Sequence, residues 1–143
     1  LILIAYFLLI SQNMKPYLIK IKSFEDVKGT LSVVDTINNI PFDIKRIFYV
    51  YDIPKKTQRG GHAHKKLKQF IWSIYGEIDV FTISKAGEHN KFNLSKPNIG
   101  LFLPEMTWSY QLTLKENSIY CVGASDYYEE DEYIRNWSEF KNY

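Results

Sequence analysis

Apolar and polar residues alternate in short runs along most of the chain, and turns rich in glycine, proline and asparagine separate the runs. Alternation with a period of two predicts β-strands that bury one face. Because the runs are short and closely spaced, they predict an all-β protein, a jelly-roll β-barrel or sandwich. The predicted strands cover residues 17–22, 30–34, 44–51, 69–75, 78–83, 91–94, 100–103, 109–114 and 118–124.

The C-terminal tail follows a different period. Tyr133, Ile134, Trp137 and Phe140 recur at helical spacing, with acidic residues before them and Lys141 near the end. This order of charges matches the helix dipole. The tail therefore predicts a short C-terminal helix whose apolar stripe packs on the strands.

Two connections between strands are also predicted. Residues 24–29 are expected to turn the chain, and residues 86–90 form a polar loop that contains His89. Because its neighbours are glycine, glutamate and asparagine, we expect His89 to lie on the solvated surface.

The first thirteen residues differ from the rest of the chain because they begin with an apolar run of about ten residues. A membrane-spanning helix needs roughly twenty apolar residues, and the basic start and cleavage site of a signal peptide are missing. Met14 stands directly before the first predicted strand. We predict that residues 1–13 are extra translated sequence, a non-native or non-domain extension with Met14 as the true start, and that residues 14–143 form one domain. A short membrane-touching anchor is the alternative.

The composition limits the class of partner. A chain of 143 residues can bury one core, and a net charge of +2 without a long basic run disfavours a nucleic-acid binder. The single cysteine, Cys121, excludes an internal disulfide and indicates a reducing compartment, so we expect a cytoplasmic protein. Its apolar neighbours predict a buried, unreactive thiol.

The candidate chemistry is concentrated in residues 59–66. His62 and His64 are two positions apart, so an extended backbone turns both imidazoles to the same face of a sheet. Two imidazoles in one cavity favour a metal site or proton transfer, and structural histidines are the alternative. Arg59, two glycines and two lysines flank the pair. This cationic setting suits an anionic ligand, and the glycines let the backbone approach it closely.

The spacing of this segment resembles the first motif of the cupin β-barrels. In metal-binding cupins that motif supplies two histidines and a glutamate, and a later motif supplies another histidine. Here Gln69 stands at the glutamate position and Trp108 at the position of the last histidine. A neutral amide and an indole, which only donates, leave too few ligands for a site that needs about three or four. We predict no metal and no other cofactor.

Several motifs in the same order resemble the dTDP-sugar 3,4-ketoisomerase family. They read IPFDIKRIFY at residues 40–49, RGGHAHKK at 59–66, ASDYY at 124–128 and DEYIR at 131–135. The resemblance extends from Lys15 to the C-terminus. It implies a small, metal-free cupin that converts dTDP-4-keto-6-deoxyglucose to the 3-keto isomer. Such enzymes feed the biosynthesis of amino and deoxy sugars for bacterial surface glycans such as O-antigen.

The resemblance places His62 and His64 in the active site. Moving a keto group from carbon 4 to carbon 3 requires one proton to leave beside the carbonyl and another to arrive at the neighbouring carbon. Histidine, with an unperturbed pKa of about 6.5, suits both steps. We expect His64 to shuttle the proton and His62 to orient it or to protonate oxygen, although the residues alone leave this division open.

The remaining roles concern substrate binding. Arg46 and Arg59 are expected to bind the pyrophosphate because a guanidinium holds phosphate with two hydrogen bonds. Tyr49 or Tyr51 is expected to stack on thymine or donate to the sugar, with a core position as the alternative. Gln69 is expected to contact the substrate. The family resemblance also implies a homodimer, which would cover exposed strand edges.

The sequence departs from the expected family pattern at one position in the first turn. Lys28 stands before Gly29 where the family resemblance leads us to expect arginine, so a ligand contact there would keep its charge and lose the planar fork.

Two alternative functions remain beside the ketoisomerase. A cupin epimerase that acts at carbons 3 and 5 of a keto sugar is one alternative. A non-catalytic cupin that only binds a sugar nucleotide is the other.

Overall fold

In the computed structural model, which describes residues 14–143, the alternating runs form twelve strands. The described chain also contains a 3-10 turn at Glu130–Glu132 and one helix, α1, at Trp137–Asn142. The strands are β1 Tyr17–Lys20, β2 Lys22–Asp26, β3 Gly29–Val33, β4 Arg46–Ile53, β5 Gln58–His64, β6 Gln69–Tyr75, β7 Ile78–Ile83, β8 His89–Leu94, β9 Ile99–Leu103, β10 Trp108–Thr113, β11 Ser118–Ala124 and β12 Tyr133–Ile134.

Ten of these strands form two antiparallel sheets that face each other. Sheet I has the order β1-β9-β6-β11-β4, and sheet II has the order β12-β5-β10-β7-β8. Between them lies an apolar core that includes Ile71, Leu101 and Val122 from sheet I and Val80 and Leu94 from sheet II. Strands β4, β6, β9 and β11 of sheet I and β7 and β8 of sheet II contribute the residues of this core, mostly at alternate positions. The architecture confirms the predicted all-β jelly-roll sandwich with a short C-terminal helix.

The outer faces of the sheets are partly covered by the rest of the chain. On sheet I, Ile40 and Phe42 from the segment before β4 pack against Phe70 and Phe102. On sheet II, Phe140 of α1 packs in a cluster that also contains Ala63 and Ile134. The apolar stripe of the tail therefore packs on strands, as predicted.

One prediction about local structure was right only in part, and another was wrong. Residues 24–29 do turn the chain, but only Val27 and Lys28 lie between strands, because Lys22–Asp26 and Gly29–Val33 pair as a hairpin that is separate from both main sheets. The tail is not helical from Tyr133, because Tyr133–Ile134 adds to sheet II beside β5. In both places, inter-strand hydrogen bonds compete successfully with the local tendency of the sequence.

The C-terminal helix begins three residues after β12, at Trp137. Its N-cap is Asn136, whose side chain accepts a hydrogen bond of 3.0 Å from the backbone N–H of Glu139. An asparagine at this position satisfies one of the amide groups that a helix leaves without a partner.

The surroundings of Cys121 and His89 were also predicted from the sequence. Cys121 is buried, as predicted, and burial raises the pKa of its thiol. His89 is exposed, although it begins β8 and does not lie in the preceding loop. Within residues 14–143, no helix has the length and apolar character needed to cross a bilayer. The extension predicted for residues 1–13 lies outside the described residues.

Candidate active site

The two histidines lie at the end of β5, where this strand runs between β10 and β12. Ser109 of β10 is the register partner of His62, and Tyr133 of β12 is the partner of His64. The centroids of the two imidazole rings are 5.0 Å apart. The pair therefore shares one face of sheet II, as the two-residue spacing predicts.

Gly60 and Gly61 shape the backbone that leads to the histidines. Their φ angles are +83° and +80°, a region that side chains other than glycine rarely adopt. The register between β5 and β10 shifts at Ser109 and Tyr110. A Cβ atom at Gly60 would lie 3.0 Å from the carbonyl oxygen of Ser109, whereas one at Gly61 would have no atom within 4 Å.

Alanine substitutions at these two glycines are expected to differ in cost. Gly61→Ala introduces only backbone strain, at about 1–2 kcal/mol. Gly60→Ala adds a contact with the backbone of β10, so it should lower the free energy of unfolding further and reduce turnover by displacing His62. Urea unfolding of both variants tests this comparison. Equal losses of stability would show that the contact with β10 is unimportant.

Aromatic rings enclose the histidines on the side of β12. The ring centroid of Tyr133 lies 5.0 Å from that of His62 and 4.4 Å from that of His64. The ring of Tyr128 lies 5.5 Å from that of Tyr133. Within residues 14–143, neither ring nitrogen of His64 has a hydrogen-bond partner. The imidazole is therefore buried among these rings with both nitrogens available to a ligand.

A charged group lies over these rings. The guanidinium carbon of Arg135 is 4.3 Å from the ring centroid of Tyr133. Arg135 donates two hydrogen bonds to Glu130, of 2.7 and 3.1 Å, and the hydroxyl of Tyr128 donates to the same carboxylate. The hydrogen bond with Arg135, followed by that with Tyr128, lowers the pKa of Glu130 to about 2.

The environment of His64 keeps its imidazole neutral at physiological pH. The side chain is buried, with 6% of its surface exposed. Burial is the main cause that lowers its pKa from 6.5 to about 3, and the charges of His62, Arg46 and Arg135 act in the same direction. A neutral imidazole offers one N–H donor and one acceptor nitrogen.

The groups around His62 have opposing effects on its pKa. Burial and the charge of Arg135 lower its pKa, whereas a hydrogen bond with the backbone of Gly60 and the charge of Glu130 oppose this change. His62 is also more exposed than His64. Of the two histidines, His62 therefore retains more of the basicity of an ordinary imidazole.

Arg46 reaches the same cluster from sheet I. It begins β4, the edge strand of that sheet, and its guanidinium carbon lies 5.3 Å from the ring centroid of Phe48 and 5.6 Å from that of Tyr128. Its Nε and Nη2 atoms are buried, and neither has a hydrogen-bond partner among the described residues. Buried donors of this kind call for an acceptor from a ligand or from water.

Arg59 lies at a different part of the sandwich. Its side chain hydrogen-bonds Tyr120 of β11 in the facing sheet. Burial raises the pKa of Tyr120, and the hydrogen bond and charge of Arg59 oppose that rise. Tyr120 is almost completely buried, at 3% exposure, while Arg59 is exposed. Arg59 is thus a cation at the rim of the sandwich interior.

Gln69 and the two tyrosines of β4 differ in their relation to the site. Gln69 is buried and pairs with Ala124, which in turn pairs with Arg46, so the three residues form one row across sheet I. Tyr49 and Tyr51 lie on the outer face of that sheet, with 63% and 58% of their surfaces exposed. The structure does not bring these tyrosines to the histidines, because alternation turns them away from Arg46.

Trp108 also differs from its expected position. Its ring packs against Trp137 and Phe140 of α1, at centroid distances of 5.2 and 5.6 Å. It therefore lies on the outer face of sheet II, and the residue opposite His62 is the small, buried Ser109. At this point of β10 the side chain on the same face as His62 is therefore that of Ser109 and not that of Trp108.

A metal site needs several ligating side chains close to one another. Within residues 14–143, no three histidine, cysteine, aspartate or glutamate side chains are grouped so that they could ligate one ion. The absence of a metal requirement stays a prediction, because its test is turnover after exhaustive chelation.

Comparison with known proteins gives consistent results over nearly the whole chain. Residues 14–143 match the family described as FdtA: WxcM-like, C-terminal. A relative from Aneurinibacillus thermoaerophilus, TDP-4-oxo-6-deoxy-alpha-D-glucose-3,4-oxoisomerase, is 34% identical over 130 residues, which cover 91% of this chain and 93% of the relative.

Solved structures show the same similarity. QdtA, a sugar 3,4-ketoisomerase from Thermoanaerobacterium thermosaccharolyticum solved in complex with TDP, gives a TM-score of 0.84 at 33% identity and covers 89% of this chain and 92% of its own. A 3,4-ketoisomerase from Helicobacter canadensis gives a TM-score of 0.85 at 33% identity, with coverages of 91% and 97%.

Proposed function

The chain belongs to the FdtA family of TDP-sugar 3,4-ketoisomerases, and from that premise we propose that its histidine pair moves the keto group of a dTDP-4-keto-6-deoxyhexose from carbon 4 to carbon 3. The observation that carries this proposal is His64, a buried imidazole whose ring nitrogens have no hydrogen-bond partner within residues 14–143, next to a more basic imidazole and close to the charges of Arg46 and Arg135. As an enzyme of nucleotide sugars, it would act in the cytoplasm, in deoxysugar or amino-sugar biosynthesis for surface glycans.

The proposed reaction has two symmetrical halves. A histidine removes the proton from carbon 3, the electron pair of that C–H bond forms a double bond between carbons 3 and 4, and the carbonyl pair moves to the oxygen on carbon 4. After this oxygen is protonated, the intermediate is an enediol. Loss of the proton from the oxygen on carbon 3 and delivery of a proton to carbon 4 give the 3-keto isomer, so atoms and electrons balance without a cofactor.

We assign the base to His62, which reverses the division expected from the sequence. A general base works best when its pKa lies near the working pH. His64 has a pKa of about 3, so it is a weak base at neutrality. Its neutral N–H group can instead donate a hydrogen bond to the substrate oxygen. Two contacts that His64 lacks, from Gly60 and Glu130, help His62 to retain basicity.

Turnover of dTDP-4-keto-6-deoxyglucose, followed by proton NMR, tests the proposed function. The protein should convert this substrate to the 3-keto isomer, and chelating agents should not slow it. A protein that binds the sugar nucleotide without converting it would support the alternative of a binding module.

Arg59 is proposed to bind the diphosphate of the substrate because it is an exposed guanidinium at the rim of the cavity. Arg59→Lys keeps the charge and loses the planar pair of donors. The substitution should weaken TDP binding by about 1–3 kcal/mol, as expected for a charged hydrogen bond, and leave turnover at saturating substrate nearly unchanged. Calorimetric titration with TDP measures the first effect. Unchanged TDP affinity would remove Arg59 from the binding site.

We propose a homodimer that uses the outer face of sheet I. Ile47, Tyr49, Tyr51 and Ile74 expose between 50% and 63% of their surfaces there, and the rings of Tyr49 and Tyr51 lie 5.8 Å apart. Large apolar side chains exposed together on one sheet face are typical of an interface. This role explains the exposed tyrosines better than contact with thymine.

Light scattering at micromolar concentration tests the interface. The wild-type protein should be a dimer, and Tyr49→Glu should convert it to a monomer because a charge would be buried in the contact. Tyr127→Glu, at a tyrosine with 65% exposure in the loop after β11, is the matched control and should leave the dimer intact. A wild-type monomer would contradict the proposal.

A further inference from the structure

The position of Arg46 suggests a role in the chemical step and not in binding the diphosphate. Its register partner on β11 is Ala124, whereas Arg59 hydrogen-bonds Tyr120 of the same strand. These two positions are four residues apart, which corresponds to about 13 Å along a strand. The two arginines therefore lie near different ends of β11.

Arg46 lies at the histidine end. Three aromatic contacts connect it to His64: Arg46 lies over Tyr128, Tyr128 contacts Tyr133, and Tyr133 contacts His64 at 4.4 Å between ring centroids. Gln69 continues the same row of sheet I. A ligand atom that hydrogen-bonds His64 is thus within the electrostatic reach of Arg46, whose charge is among those that depress the pKa of His64.

The guanidinium is also prepared to receive an acceptor. Phe48 and Tyr128 hold it by ring contacts, which use the face of the guanidinium and not its N–H groups. Nε and Nη2 are buried without a hydrogen-bond partner among the described residues. Arg135, by contrast, already donates to Glu130 from Nε and Nη2. Leaving a charged donor buried and unpaired is costly, so a negatively charged atom of the substrate is the expected partner.

We propose that Arg46 is a catalytic residue that stabilises the negative charge of the enediolate, with the neutral His64 as its partner donor. When the proton leaves carbon 3, the carbonyl electron pair moves to the oxygen on carbon 4, and Arg46 neutralises that charge until the oxygen is protonated. In the second half of the reaction it neutralises the charge on the neighbouring oxygen of carbon 3. Donors positioned where charge develops accelerate a reaction because they need not reorganise.

This inference rests on the proposed ketoisomerase function, and the test separates the two. Arg46→Gln should lower kcat by about 10²–10³-fold, the usual effect of losing one donor to an oxyanion, while the Kd for TDP changes less than threefold. Arg46→Lys should retain part of the activity because it keeps the charge. Added guanidinium should partly restore turnover to Arg46→Gln, an effect that a merely structural role would not produce.

Lys45→Met is the matched control. Lys45 is the neighbouring cation on the chain, exposed and paired with Asp126 at 3.3 Å, and its loss should change neither kcat nor TDP affinity. If Arg46→Gln does not fold, as judged by circular dichroism, Arg46→Lys alone carries the test through its reduced kcat at unchanged Kd.

Three results would overturn the inference. If the Arg46 variants lose TDP affinity tenfold or more and turn over normally at saturation, Arg46 binds the diphosphate. If they behave like Lys45→Met, Arg46 has no role in the reaction. If the wild-type protein itself does not isomerise the keto sugar, the proposed function fails and the role of Arg46 fails with it.

Discussion

Replacing His62 with asparagine is expected to lower turnover by about 10²–10⁴-fold, the usual contribution of a positioned acid–base group. Asparagine keeps hydrogen-bonding capacity but cannot accept a proton from carbon 3. Because His62 is assigned to proton transfer and not to the diphosphate, the Kd for TDP should stay nearly unchanged. The proton NMR assay and calorimetric titration measure the two quantities separately.

His89→Asn is the control for this substitution. His89 is the remaining histidine of the sequence and is exposed at the start of β8, so its loss should affect neither quantity. His62→Asn with normal turnover and weakened TDP binding would move His62 from the catalytic group to the binding site. If only His64→Asn abolished turnover, the base would be His64, as first expected from the sequence.

Acidification is expected to destabilise the folded protein through His64. The pKa of this buried imidazole is about 3 in the folded state, below the ordinary value of 6.5. As the pH falls below about 6.5, the unfolded chain therefore binds a proton that the folded chain does not bind until about pH 3. Within this window His64 should lower the free energy of unfolding by up to about 1.4 kcal/mol per pH unit.

Urea unfolding between pH 7 and pH 4 tests this prediction by comparison of variants. Carboxylates also titrate in part of this range, but they are common to all the proteins compared. His64→Asn should show a shallower loss of stability with falling pH than the wild type, and His89→Asn should follow the wild type. Parallel curves for the wild type and His64→Asn would show that His64 titrates normally in the folded state.

Most of the strands could be predicted because their alternation reflects burial on one face. The predicted boundaries of β6, β7 and β11 agree with the structure at both ends. The register of His62 and His64 followed from the same rule, which needs only a period of two. Alternation with a period of two depends only on neighbouring residues, so it can be recognised before the pairing of the strands is known.

The residues of β4 that were predicted to bind the substrate are separated by that same rule. In an extended strand, Arg46 and Tyr49 are an odd number of positions apart, so they lie on opposite faces. The structure places Phe48 with Arg46 and turns Tyr49 outward. Counting positions from Arg46 would have excluded both tyrosines and selected Phe48. Trp108 also lies on the face opposite to the histidines, because its neighbour Ser109 is the register partner of His62, and this pairing of β10 with β5 is not visible in the sequence.

Other parts of the site depend on contacts between distant segments. Tyr128 and Tyr133 belong to motifs that support the family resemblance, yet the helical period of the tail assigned Tyr133 to packing. Only the pairing of β12 with β5 shows that its ring borders both histidines. The low pKa of His64 likewise results from burial and from charges brought together by the fold.

The position of deuterium after turnover in D₂O distinguishes isomerisation by the histidine pair from epimerisation. Wild-type protein incubated with dTDP-4-keto-6-deoxyglucose should yield the 3-keto isomer, with loss of the proton signal of carbon 3 and deuterium at carbon 4. In His62→Asn, both changes should be much slower than in the wild-type protein. Deuterium at carbons 3 and 5 of a sugar that keeps its keto group at carbon 4 would instead identify an epimerase and contradict the account.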